Sequence, residues 1–147
     1  ADYEEAMRAV KEHGIHHFTH VYNAMTGFSH RSPGVVGAAF DTEANCEIIA
    51  DNVHRHPAAQ RLLYHAKDGT IAGSVATMNR CVKIFWENTG AELPQIIEMV
   101  TKTPAQELAL YEEVGSLESG NRADIVIFDE EVQIHKTIIG GVDYYHD

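Results

Sequence analysis

The chain has 147 residues, enough for one ordinary domain with its own core, and too few for a complete (β/α)8 barrel, which takes roughly 250. Apolar residues at 44% and charged residues at 22% describe a soluble globular protein rather than a fibrous or disordered one. The formal net charge of −11 excludes non-specific nucleic-acid binding, but not a small anionic ligand, which one arginine can hold locally.

In chain order, residues 2–13 read as an amphipathic helix, with Tyr3, Ala6, Met7 and Val10 on one face and Gly14 as its stop. Ile15 to Tyr22 reads as a strand. Residues 26–37 carry Gly27, Ser29, Ser32, Pro33, Gly34 and Gly37 and read as loop. Asn45 to Val53 is a second strand, and Pro57 opens a helix to about Ala66. Asp68 to Ser74 reads as a turn, with Ser74 as N-cap of a helix running to the stop at Gly90. Leu93 to Met99 and Ala105 to Leu110 are further helices. From Gly115 the texture changes to short strands, Ile125 to Phe128 and Val132 to Ile139. Alternating strands and helices followed by β structure predict an α/β body, residues 1–114, with a small β unit, residues 115–147. A partial parallel barrel fits this order, as does an open doubly wound sheet.

Cys46 and Cys81 sit among apolar neighbours without a C-x-x-C motif and read as buried free thiols, which suits a reducing cytoplasm. No signal peptide or membrane-length apolar run is visible. The opening Ala1-Asp2-Tyr3, without Met, reads as a processed chain or a piece of a longer one.

The chemistry concentrates in histidines. His13, His16, His17 and His20 form an H-x2-H-H-x2-H cluster. Gly14 and the β-branched run keep them off one helix, and on a strand His16 and His20 share a face opposite His17. His20 lies nearest the strand's C-terminal end, where a barrel presents its ligands. Asn23 follows it, and Arg31 stands in the loop beyond, where its planar fork suits a phosphate. His54 ends the second strand, with Asp51 placed to orient a neighbour; His56 reads as a surface residue near a helix start. The Asp68–Ser74 turn offers backbone donors at a helix entry. Serine-hydrolase, Walker and dinucleotide-binding signatures are absent.

Thr19-His20-Val21-Tyr22-Asn23-Ala24-Met25, Arg31 to Gly37 and Ile48-Ile49-Ala50-Asp51-Asn52-Val53-His54 resemble the N-acetylglucosamine-6-phosphate deacetylase family of the amidohydrolase superfamily. Asp68 to Ser74, Thr101-x-x-Pro104-Ala105 and Gly115 to Val126 extend the likeness over nearly the whole chain, as the C-terminal part of such an enzyme. The resemblance implies metal-dependent removal of the N-acetyl group from N-acetylglucosamine 6-phosphate, a divalent ion (zinc or iron, one or two), a TIM-type barrel with a small β-sandwich unit, and a cytoplasmic homodimer. By resemblance His20 matches a metal ligand. Asn23 and Ala24 match sugar-phosphate contacts. Arg31 matches a phosphate-binding arginine, often given across the dimer interface. His54 matches a histidine near the scissile amide, and Ile71, Ala72 and Gly73 match a substrate-contacting loop.

Two departures follow from the same comparison. The family's other histidine and glutamate ligands belong upstream of Ala1. Its catalytic aspartate belongs on a strand between Ala66 and Asp68, where Lys67 runs straight into Asp68-Gly69. Asp68 matches a later Asp-Gly-Thr turn. No residue of this chain matches the general base, so the chain alone is expected to be inactive. The alternatives are a non-catalytic fragment or dimerisation remnant, and another amidohydrolase.

Overall fold

A computed structural model describes residues 1–66, 70–72 and 76–146, with residues 70–72 and 146 described through their backbone. Helix α1 (Tyr3–His13) begins at Asp2, whose carboxylate accepts from the Glu5 N–H at 2.9 Å while Glu5 accepts from the Asp2 N–H at 3.0 Å. Gly14, at φ 66°, closes it in the left-handed conformation.

The strand expected over Ile15–Tyr22 shortens to β1 (His17–Phe18). The reason is backbone geometry: His20, Tyr22 and Ala24 have φ of 40°, 77° and 52°, which no extended strand accommodates. The loop expected over residues 26–37 ends in helix α2 (Gly34–Phe40). Gly34 and Gly37 read as loop signals in the sequence, yet they serve close approach. A Cβ on Gly34 would stand 2.5 Å from the Thr26 carbonyl oxygen, and one on Gly37 would stand 2.2 Å from Pro33 Cβ.

Strand β2 (Asn45–Ile49) lies parallel to β1, with His17 opposite Asn45 and Phe18 opposite Cys46. It ends four residues earlier than expected, because Ala50 onward turns around the Asp51 carboxylate. Helix α3 (Pro57–Ala66) follows as predicted. The predicted turn after it contains strand β3 (Thr70–Ala72), parallel to β2 with Ile48 opposite Ile71. The Lys67–Asp68 junction, Gly73 and Ser74 lie outside the described residues. Helix α4 (Met78–Thr89) is preceded by Thr77 rather than capped by Ser74, and ends at Gly90. Helix α5 (Leu93–Val100) starts with a Glu92/Gln95 capping box, and α6 (Lys102–Glu107) begins three residues earlier than expected. Strands β4 (Ile125–Phe128), β5 (Ile134–Ile139) and β6 (Val142–His146) form an antiparallel sheet in that order. Strand β6 lies beyond the last strand expected from the sequence, Val132 to Ile139.

Phe18, Val21, Cys46, Ile48 and Ala50 form one buried cluster with Leu63, Phe85 and Ile96 of the helices. Phe85 stands edge-on to Tyr64 at 6.0 Å between ring centroids. Cys46 and Cys81 are both buried, and neither is in a disulfide. Val132 and Phe128 belong to the same core, so the antiparallel sheet is packed onto the α/β body. No helix among the described residues is long and apolar enough to cross a membrane.

Candidate functional site

Parallel pairing puts the C-terminal ends of β1 and β2 side by side. Residues 19–24 leave one end and residues 50–56 leave the other, and a side-chain bond joins the two loops: Arg55 Nη1 donates to Asn23 Oδ1.

His20 is half-buried, and its Nδ1 is a buried atom without a hydrogen-bond partner among the described residues. His54 is oriented by Asp51, whose Oδ2 lies 2.7 Å from the ring Nδ1. The other carboxylate oxygen accepts the backbone N–H groups of Val53 and His54, each at 2.9 Å. A carboxylate only accepts, so Nδ1 carries its proton toward Asp51, and in the neutral tautomer this selects, Nε2 is the acceptor. Asp51 is only 4% exposed, so this arrangement is set from the interior. Ala72 ends β3 opposite Ile49. Ala24 and Arg31 are exposed, Arg31 in a turn where Ser29 and Ser32 exchange backbone bonds at 3.2 and 3.1 Å. His56 caps the entry to α3, its Nδ1 accepting from the Ala58 N–H at 3.1 Å.

His16 and His17 sit at a carboxylate cluster. His16 Nε2 and His17 Nδ1 lie 3.5 and 3.6 Å from Glu107 Oε2, and His17 Nε2 lies 2.9 Å from Glu47 Oε1. The expected opposition of His16 and His17 fails because β1 starts only at His17, freeing His16 to turn toward the same acid. Burial pushes the Glu47 carboxyl up. Hydrogen bonds from Thr19 (2.6 Å) and His17, with the charge of His17 and His20, outweigh that and hold it below its ordinary 4.5. Stability drawn from a depressed carboxylate is present above the unfolded value and is lost as pH falls through the folded one. Glu47→Gln should therefore lose part of the acid limb of the stability curve below pH 4.5, measured by urea unfolding at stepped pH. An unchanged limb would show that the cluster does not couple folding to protons.

No group of three or more His, Cys, Asp or Glu among the described residues is arranged to hold a metal ion. His20 offers one unpaired nitrogen, whereas a catalytic zinc centre needs about three protein ligands. A hollow of about 580 Å³, lined in part by Asn45, Tyr64, His65 and Gln106, lies at the opposite, N-terminal end of β2.

Asp51 was legible as an orienting group because it precedes His54. Arg55 was not, because a charged residue between two histidines carries no sequence signal of burial.

Residues 63–142 match the amidohydrolase family. The chain is 30% identical over 168 positions to an N-acetylglucosamine-6-phosphate deacetylase of Bacillus subtilis, covering 87% of this chain and 42% of that protein. It is 31% identical over 186 positions to the one of Mus musculus, covering 96% and 45%. Its fold superposes with TM-scores of 0.92 on N-acetylglucosamine-6-phosphate deacetylases of Pasteurella multocida and Thermotoga maritima, both at 24% identity. These cover 98% and 100% of this chain, and 48% and 51% of the solved chains. The chain thus spans about half the length of the relatives it matches. Because 96% of 147 residues is spread over 186 aligned positions, about 45 positions within the matched stretch of the mouse protein have no counterpart here. The family match, with the fold likeness over nearly the whole chain, shows that this chain belongs to the amidohydrolase family.

Proposed function

We propose that this chain is the sugar-phosphate-binding part of an N-acetylglucosamine-6-phosphate deacetylase. The whole enzyme hydrolyses the N-acetyl group of N-acetylglucosamine 6-phosphate to glucosamine 6-phosphate and acetate. The observation that carries this reading is the joining of the His20–Asn23 and Asp51–Arg55 loops at neighbouring parallel strand ends. In it Asn23, Ala24 and Arg31 take the phosphate end, His54 meets the acetamido group through Nε2, and residues 71–73 line the sugar. His20 is one ligand of a divalent metal, zinc or iron, which when bound supplies Lewis-acid activation. The described residues do not complete that centre, so no step of this chain runs through it. The same reading makes residues 1–114 part of a (β/α)8 barrel and residues 115–147 a small β unit, in a cytoplasmic homodimer.

The sequence carries no match to the family's general base, and the matched stretch of the mouse relative has about 45 positions without a counterpart. Both favour a chain that binds without hydrolysing. With its intact mass verified, the 147-residue chain should bind N-acetylglucosamine 6-phosphate in preference to N-acetylglucosamine by calorimetry, and release no acetate with added zinc or iron(II). Metal-dependent acetate release would overturn the missing-base assignment. Equal affinity for the two sugars would overturn the phosphate site. A dimer that binds neither sugar would identify a dimerisation remnant instead.

A further inference from the structure

Arg55 is 5% exposed, yet its guanidinium is poorly satisfied. Nη1 donates to Asn23 Oδ1 and, at 3.4 Å, to the His54 carbonyl, while Nε and Nη2 are buried with no hydrogen-bond partner among the described residues. Its carbon lies 5.7 Å from the centroid of the Tyr22 ring. A buried cation with two unpaired nitrogens costs stability. Its contribution therefore lies in what it holds.

It holds an amide and a loop. A guanidinium has donors only, so its partner on Asn23 is the carbonyl oxygen, and the amide NH2 must point away from Arg55. An asparagine tied by its oxygen offers two N–H donors, which is what a phosphate oxygen accepts. Released, the amide would be free to flip and turn its oxygen toward the anion. The same guanidinium rests on Tyr22, whose hydroxyl donates to the Ala59 carbonyl at 3.1 Å. The loop so fastened contains three non-glycine residues at positive φ, a conformation that surrounding contacts must enforce.

We propose that Arg55 is a positioning residue for phosphate recognition: it acts through Asn23, fixing the amide with its donors outward. This rests on the reading above that Asn23 meets the phosphate of the sugar.

The test uses the full chain with Arg55→Met, Arg55→Lys, Asn23→Ala and the Arg55→Met/Asn23→Ala double variant, each checked by thermal melting. The probes are N-acetylglucosamine 6-phosphate and N-acetylglucosamine, titrated by calorimetry. Arg55→Met should weaken the phosphorylated sugar about tenfold, the scale of one lost polar contact to a charge, and leave N-acetylglucosamine unchanged. The double variant should bind no worse than Asn23→Ala alone, because the two residues act as one unit. Arg55→Lys, which keeps a donor for Asn23, should recover part of the loss. If Arg55→Met does not fold, a smaller loss in Arg55→Lys confined to the phosphorylated sugar carries the same conclusion. Losses that multiply in the double variant, or fall equally on both sugars, overturn the proposal while leaving the phosphate reading intact. An Asn23→Ala chain that binds the phosphorylated sugar normally overturns that reading, and this proposal with it.

Discussion

Replacing Asp51 by alanine is expected to cost about 3–5 kcal/mol of stability, the range for removing one partner from a buried charged network. Asp51 is 4% exposed, and its carboxylate accepts from the backbone N–H groups of Val53 and His54 and from the His54 ring. Burial lowers the Arg55 pKa, and the Asp51 charge works against that fall, so the alanine variant leaves a buried cation without its countercharge. Urea denaturation reads the loss directly. Asp51→Asn separates stability from orientation. Its carbonyl oxygen still accepts the two backbone donors, while its NH2 faces the imidazole and moves the proton of neutral His54 from Nδ1 to Nε2. Ring-nitrogen chemical shifts report that change. An alanine variant within about 1 kcal/mol of the parent, which is the size of one ordinary hydrogen bond, would show that the network carries little.

Arg31→Ala, made in a complete deacetylase carrying these residues, is expected to weaken the 6-phosphorylated sugar at least tenfold. A charge-assisted bond contributes about 1.5–3 kcal/mol, and the arginine fork makes two. The unphosphorylated sugar never uses that contact and should bind nearly as before. The structure supports an accessible fork: Arg31 is exposed on a tight turn, and the chain re-enters α2 through Gly34, held against the Thr26 carbonyl. In the same enzyme His20→Ala should lower metal content and turnover for both sugars. Equal loss of both sugars in Arg31→Ala would make that arginine a structural element of the turn.

Much of the architecture was legible in the sequence because it is local. The Gly14 and Gly90 stops and Pro57 each act within one helical turn, and the helix boundaries they set are found where expected. The errors share a cause. Ile15–Tyr22 has the composition of a strand, but the left-handed turns at His20, Tyr22 and Ala24 are imposed by packing beyond that segment. Gly34 and Gly37 suggest loop when only composition is considered; contact with Thr26 and Pro33 makes them a helix entry. Thr70–Ala72 has no strand signal of its own, and is a strand because β2 offers it a parallel edge.

The candidate site divides in the same way. The order of motifs along the chain is enough to single out His20, Asn23, Arg31 and His54, because each motif lies within a few consecutive residues. Which of these groups are neighbours is decided by parallel strand pairing, which sets the ends of β1 and β2 side by side across about 30 residues of chain. The orientation of His54 and of the Asn23 amide is decided later still, by Asp51 and Arg55 in the interior. A buried carboxylate can only accept and a buried guanidinium can only donate, so once packing places them, the direction of each neighbouring hydrogen bond follows.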